Sequence, residues 1–126
     1  MGKNQRNLEF EIEFTERIIQ DNPDYIDGLT LLGELLTKDK QHQKALEVDS
    51  RLRDLKPDDP TVLYNLACDY SLLNKKSLSL KALEESLKLG YKDIEYIFKD
   101  PDLENLRESK RFSQLIDRFK NKSSKV

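Results

Sequence analysis

The chain has one cysteine, Cys68, and one histidine, His42. A nucleophilic cysteine needs a base beside it, and a histidine relay needs both a nucleophile and an orienting acid. His42 falls in the polar stretch KDKQHQK and Cys68 in the apolar-periodic stretch YNLACDY, with nothing in the spacing to pair them. Cys68 reads as a small residue on a helix surface. Metal sites need His, Cys or carboxylate clusters at ligand spacing, whereas the 24 acidic residues here are scattered over solvated faces. With four glycines there is no glycine-rich loop to cradle phosphate. These residues predict no catalytic site, no metal site and no cofactor.

The elements that position them follow from length and pattern. A chain of 126 residues is enough for one domain. Charged residues make up 37%, above the ordinary ~25%, which suits thin helical layers with one wet side. A net charge of −2 steers the whole molecule neither to nucleic acid nor to anionic lipid. The exception is local. Residues 107–126 hold Arg107, Lys110, Arg111, Arg118, Lys120, Lys122 and Lys125 against Glu108 and Asp117, a local charge of +5. A solvated helix end explains this, and a nucleic-acid contact is the alternative. One cysteine allows no internal disulfide, no apolar run approaches the ~20 residues of a membrane span, and the N-terminal stretch lacks the apolar core of a signal peptide. The expected compartment is the cytoplasm.

The chain repeats at 34 residues. Pro23 and Pro57 are one period apart, and Tyr91 falls one period further on. At this shift Ile12 meets Leu46 and Leu80, Leu29 meets Leu63 and Ile97, and Leu32 meets Leu66. Small residues coincide too, Gly33 with Ala67 and Ala45 with Ser79. Residues three and four apart share a helix face, so Leu29, Leu32, Gly33 and Leu36 form one stripe. A glycine inside a helix costs about 1 kcal/mol against alanine, so Gly33 predicts close approach by a neighbouring helix.

Period and pattern together resemble the tetratricopeptide repeat. The matching residues are Leu29, Leu32, Gly33, Leu36, Ala45, Asp49 and Pro57 in a first unit, and Leu63, Leu66, Ala67, Tyr70, Ser79, Leu83 and Tyr91 in a second. Leu replaces the leading aromatic twice, Asp49 stands where an aromatic is usual, and Tyr91 stands where Pro is usual. The resemblance implies an all-α, tetratricopeptide-like solenoid of antiparallel helical hairpins: a half repeat, two full repeats and a helical C-terminal cap.

Helix signals set the boundaries. Asp59-Pro60 supplies an N-cap and a first-turn proline, and Asn74 and Gly90 can each end a helix in the left-handed conformation. Helices are expected near 6–20, 25–37, 42–55, 60–73 and 77–89. As a single domain the chain divides into a half-repeat helix (6–22), repeat 1 (23–56), repeat 2 (57–90), capping helices (91–120) and a flexible tail (121–126). In the cap, Asp100-Pro101-Asp102 is a helix-start signal, and Phe112, Leu115, Ile116 and Phe119 make a last amphipathic stripe. Asp100, Pro101, Asp102, Leu103, Leu106, Arg107, Phe112 and Leu115 also resemble a tail that ends many bacterial tetratricopeptide proteins. Repeat arrays need such half-polar covers.

The function this implies is non-catalytic protein binding, as an adaptor or assembly factor. First helices of stacked hairpins line a hollow side, so the expected protein-binding residues are Asp27, Thr30, Glu34, Thr37 and Lys38 from repeat 1. From repeat 2 they are Thr61, Tyr64, Cys68 and Ser71, with Leu72 at the edge and Tyr64 as the anchor. The family's clamp for the C-terminal carboxylate of heat-shock chaperones is missing from these positions, and an extended peptide or partner helix fits them better. The alternatives are a nucleic-acid accessory role for the basic end and a homodimer through the N-terminal helix, with Leu8, Phe10 and Phe14 as its face.

Overall fold

The structure, a computed structural model, describes residues 2–124. The side chain of Lys122, and Lys125 altogether, lie outside the described residues. Every regular element among them is helical. The chain gathers into two compact units, Met1–Pro57 and Asp58–Val126.

The first unit holds three helices: α1 (Lys3–Asp21), α2 (Ile26–Lys38) and α3 (His42–Leu55). α2 packs against both of its neighbours. Its core is Ile12, Leu32, Leu35, Leu36 and Ala45, with Leu8, Ile19 and Val48 packed at the margin. Two glycines permit the close approach. A Cβ on Gly28 would lie 2.8 Å from Ile19 Cδ1 of α1, and one on Gly33 would lie 2.8 Å from Asp49 Oδ1 of α3. Asp49, which replaces the usual aromatic, is thus a buried carboxylate resting on the bare backbone of α2. Asp39, in the α2–α3 turn, accepts from Gln5 at 2.7 Å and Gln41 at 2.6 Å, which ties the start of α1 to that turn. These two bonds hold the Asp39 carboxyl below its usual pKa.

The second unit holds α4 (Pro60–Leu72), α5 (Lys76–Lys88), a single turn α6 (Ile94–Ile97), a 3-10 segment (Pro101–Leu106) and α7 (Lys110–Ser124). Asp59 caps α4 by accepting from the amides of Thr61 and Val62, with Pro60 in the first turn. Buried serines fasten α5 to α4. Ser79 Oγ donates to the Ala67 carbonyl at 2.6 Å and Ser86 Oγ to the Pro60 carbonyl at 2.7 Å. Ser79 takes the place of Ala45 one period earlier, so a small side chain preserves the approach and adds a bond.

The helix ends repeat as well. Asn74 and Gly90 adopt positive φ, as their positions predict, and so does Lys40, one period before Asn74. After each of these helices an amide reaches back five residues, Gln41 to Leu36, Lys75 to Tyr70 and Tyr91 to Ser86, which satisfies carbonyls that the helix leaves open. α7 runs to Ser124, past the expected boundary at residue 120.

Candidate protein-binding faces

The exposed face of α2 is the simplest. Asp27, Thr30, Glu34 and Lys38 lie on its solvent side, joined by Leu31, which is 46% exposed. Their spacing of three and four residues makes a single stripe. Thr30 and Thr37 donate their hydroxyls to carbonyls of their own helix at 2.9 Å, to Ile26 and Gly33 respectively. The stripe therefore presents one leucine between carboxylates and a lysine. The sequence reading missed Leu31 because it kept to positions off the buried stripe and favoured polar ones.

α4 carries the corresponding residues one period later, and here the structure corrects the reading. Of the four residues placed on an open face, only Thr61 is exposed. Tyr64, Cys68 and Ser71 are buried. The chain's own C-terminal segment lies over them, with the 3-10 segment packed along α4. Ile97, Leu103 and Leu106 have no exposed surface. Asn105 donates to the Ser71 carbonyl at 2.8 Å. The expected open face of α4 is therefore already filled, and Cys68 is no surface residue.

Asp100 organises this contact. Its carboxylate accepts from the Tyr64 hydroxyl at 2.5 Å, from the Cys68 thiol at 3.8 Å and from the Asp102 amide at 2.9 Å. Its carbonyl accepts from the Arg107 guanidinium. The helix-start signal read in Asp100-Pro101-Asp102 is real, but it starts a 3-10 turn and also serves as the contact point with α4. Tyr91, where the family usually has Pro, stacks on Tyr64 with ring centroids 4.3 Å apart and planes within 3°. Burial, then the hydrogen bond to Asp100, pushes the Tyr64 hydroxyl far above its usual pKa. Burial, then the charge of Asp100, does the same to the Cys68 thiol. Such a thiol carries no thiolate near neutrality and makes a poor nucleophile.

Magnitudes separate what holds the segment from what aligns it. Burying one Leu or Ile side chain contributes about 1.5–3 kcal/mol, and Ile97, Leu103 and Leu106 are all buried. One net hydrogen bond contributes about 0.5–1.5 kcal/mol, and roughly twice that when one partner is charged. Apolar packing therefore holds the segment, while the Asp100 bonds fix its register on α4.

Cys68, Asp100 and Asp102 also bring three ligand-type atoms within 4.8 Å. The donors fit a cation poorly. Both Asp100 oxygens already accept hydrogen bonds, and the thiol is held protonated.

The N-terminal helix divides differently from the expectation. Leu8 is half-buried against the first unit's core and does not belong to an outer face. Phe10 and Phe14 are 67% and 56% exposed, with their rings stacked at 6.2 Å. At the basic end, an open groove of about 620 Å³ runs between α5 and α7. Leu80 and Leu115 form its floor, and Leu78, Lys81, Arg111 and Arg118 its rim. Arg118 is bonded to Glu84 there.

Helical hairpins of this order define a tetratricopeptide-type, all-α repeat fold. The solved structure of MamA 41-end from Desulfovibrio magneticus RS-1 superposes with a TM-score of 0.68 at 18% identity, over 90% of this chain and 67% of that one. The MamA RS-1 ArsTM double mutant superposes with the same TM-score at 17% identity, over 98% of this chain and 71% of its own. At such identities the likeness establishes the fold alone. In sequence, a chloroplastic protein of Arabidopsis thaliana is 42% identical over 90 residues, 69% of this chain. The chain spans 27% of that relative's length. No protein-family model matches the chain. No helix among the described residues is long and apolar enough to cross a membrane.

Proposed function

We propose that this chain is a non-catalytic protein-interaction module, an adaptor or assembly factor, that receives a partner segment on the exposed stripe of α2. One observation carries the reading. The equivalent stripe of α4 holds a polypeptide segment, the chain's own residues 100–106, while the α2 stripe is uncovered. The α4 contact serves as a template for what α2 takes: a short turn-forming or helical peptide with an apolar side chain at its centre. On α2 the central contact is Leu31, with Asp27, Thr30 and Glu34 around it and Lys38 at the end. The acidic residues select a partner segment with a Lys or Arg beside its apolar anchor. The protein works in an aqueous compartment, either the cytoplasm or, following its chloroplastic relative in Arabidopsis, a plastid.

The test is affinity capture from the source lysate with the intact chain and with Leu31→Lys plus Glu34→Lys. Both substituted residues are exposed, so the fold should persist, and circular dichroism checks this. Loss of a discrete captured protein supports the reading. Identical captured sets overturn it.

A further inference from the structure

The contact on α4 has a direction and a chemistry. Tyr64 and Cys68 meet Asp100, and one turn further along the helix Ser71 meets Asn105, so the C-terminal segment runs parallel to α4. Leu103 and Leu106 supply its buried bulk. Both side chains that face the Asp100 carboxylate are neutral donors, a phenol and a thiol. One period of 34 residues earlier, Thr30 stands in the place of Tyr64, Glu34 in that of Cys68 and Thr37 in that of Ser71. The donors are gone. The Thr30 hydroxyl is engaged with the Ile26 carbonyl of its own helix, and Glu34 is an acceptor when ionised. Glu34 and Asp27 are both exposed, and neither forms an ion pair among the described residues. The carbonyl of the third position is unchanged in kind. Ser71 and Thr37 each accept one turn amide, from Asn74 and Lys40, and a carbonyl oxygen has a second lone pair to offer.

We propose that the segment received by α2 is the charge-inverted counterpart of the chain's own: a Lys or Arg where residues 100–106 have Asp100, leucines in the places of Leu103 and Leu106, and Asn or Gln in the place of Asn105. Glu34 is the residue that sets this specificity. The inference rests on the α2 reading and adds the order and polarity of the partner sequence. The cation lies against Glu34, the leucines cover Leu31, and the amide donates to the Thr37 carbonyl as Asn105 does to that of Ser71. Lys38, one turn beyond Glu34, repels a cation placed late in the segment and so favours the parallel direction seen on α4. The same inversion keeps the chain's own C-terminal segment off α2, because Asp100 would meet Glu34 there. Like charges brought together in this way exclude the wrong partner.

Two synthetic peptides test it: FKDPDLENLR, which is residues 98–107 as they stand, and FKKPDLENLR, which carries Asp100→Lys. Nitrogen–proton NMR titration of the whole chain locates and ranks their binding. The lysine peptide should shift the amides of Leu31 and Glu34 and bind about two- to fivefold more tightly than the aspartate peptide, the range of one exposed ion pair. The preference should shrink at about 1 M salt, where the Debye length is about 3 Å. Glu34→Lys should reverse it, and Leu31→Ser should weaken both peptides. Both residues are exposed, so circular dichroism should be unchanged. A wild-type preference for the aspartate peptide overturns the proposal, as does a preference that Glu34→Lys leaves unaltered. So do shifts at Tyr64 and Cys68 in place of Leu31, and so does the absence of binding by either peptide at millimolar concentration. The lysate capture judges the α2 reading separately. A discrete protein lost with Leu31→Lys plus Glu34→Lys, alongside peptides that show no charge preference, keeps the stripe as the site and removes this motif.

Discussion

The Tyr64 hydroxyl donates to the Asp100 carboxylate at 2.5 Å, a bond between residues 36 apart in sequence that pins the C-terminal segment to α4. It sets the register of a segment that apolar packing holds over the α4 face. The α4 face, which its sequence suggests as open, is therefore interior, whereas the corresponding stripe of α2 is exposed.

Tyr64→Phe keeps the ring and its stack on Tyr91 but leaves Asp100 without its shortest bond. The expected cost is about 1–3 kcal/mol, the usual penalty for a buried acceptor that loses its donor. Urea titration followed by circular dichroism should show an earlier midpoint with an unchanged slope. Leu103→Ala should cost more, about 2–5 kcal/mol, because packing rather than the bond holds the segment. A Tyr64→Phe penalty exceeding that of Leu103→Ala would reverse the order argued here.

Alkaline pH should loosen the second unit. Tyr64 and Cys68 both have pKa values raised by folding, from starting values of 10.0 and 9.0. The folded state therefore keeps protons that the unfolded chain gives up. The stability tied to them is complete below about pH 9 and declines as pH rises through about 9 to 10 and beyond. Stability measured from about pH 7 to 11 should fall over that window. Tyr64→Phe with Cys68→Ala should flatten the fall, although the double variant starts from a lower value near neutrality.

Cys68 should be inert in the native protein. Its thiol is buried beside Asp100 and held protonated, so a disulfide reagent at about pH 8 should react only as fast as the second unit opens. In about 6 M guanidinium, which unfolds the chain, the reaction should reach the ordinary free-thiol rate. Tyr64→Phe should speed the native reaction by weakening the cover. Rapid native labelling at the free-thiol rate would contradict the burial.

Gly33→Ala separates helix propensity from packing. Propensity alone favours alanine by about 1 kcal/mol. The added Cβ would lie 2.8 Å from Oδ1 of Asp49, a buried carboxylate that must shift among packed neighbours. Overpacking of this kind costs about 1–3 kcal/mol. The net expectation is destabilisation, read as a lower thermal midpoint. Gly33→Ala with Asp49→Ala should recover most of the loss.

The sequence carried the helices because their signals are local. Period, apolar stripes and end signals placed α2 to α5 within a residue or so, and Gly33 announced the approach of α3. Lys40 was missed as a left-handed position because lysine, unlike Asn74 or Gly90, gives no residue-type warning. The candidate sites were harder, because exposure is a long-range property. Nothing in the types of Tyr64, Cys68 and Ser71 says that residues 100–106 fold back over them. A signal did exist. Three apolar residues, Ile97, Leu103 and Leu106, sit in a stretch too short for an ordinary helix, and they need a surface to cover. Leu8 went astray for a related reason. Its helix has apolar residues on more than one face, and spacing alone does not say which face meets α2.

Hydrogen exchange of the amides from 97 to 106 tests the central claim most directly, because it reads whether the C-terminal segment is closed on α4 in solution. The account predicts protection of Ile97, Leu103 and Leu106 comparable to that of α4, lost in step with α4 as denaturant rises. Exchange at the rate of an unstructured peptide, with α4 still protected, would mean that the α4 face is open and that Tyr64 is available to a partner after all.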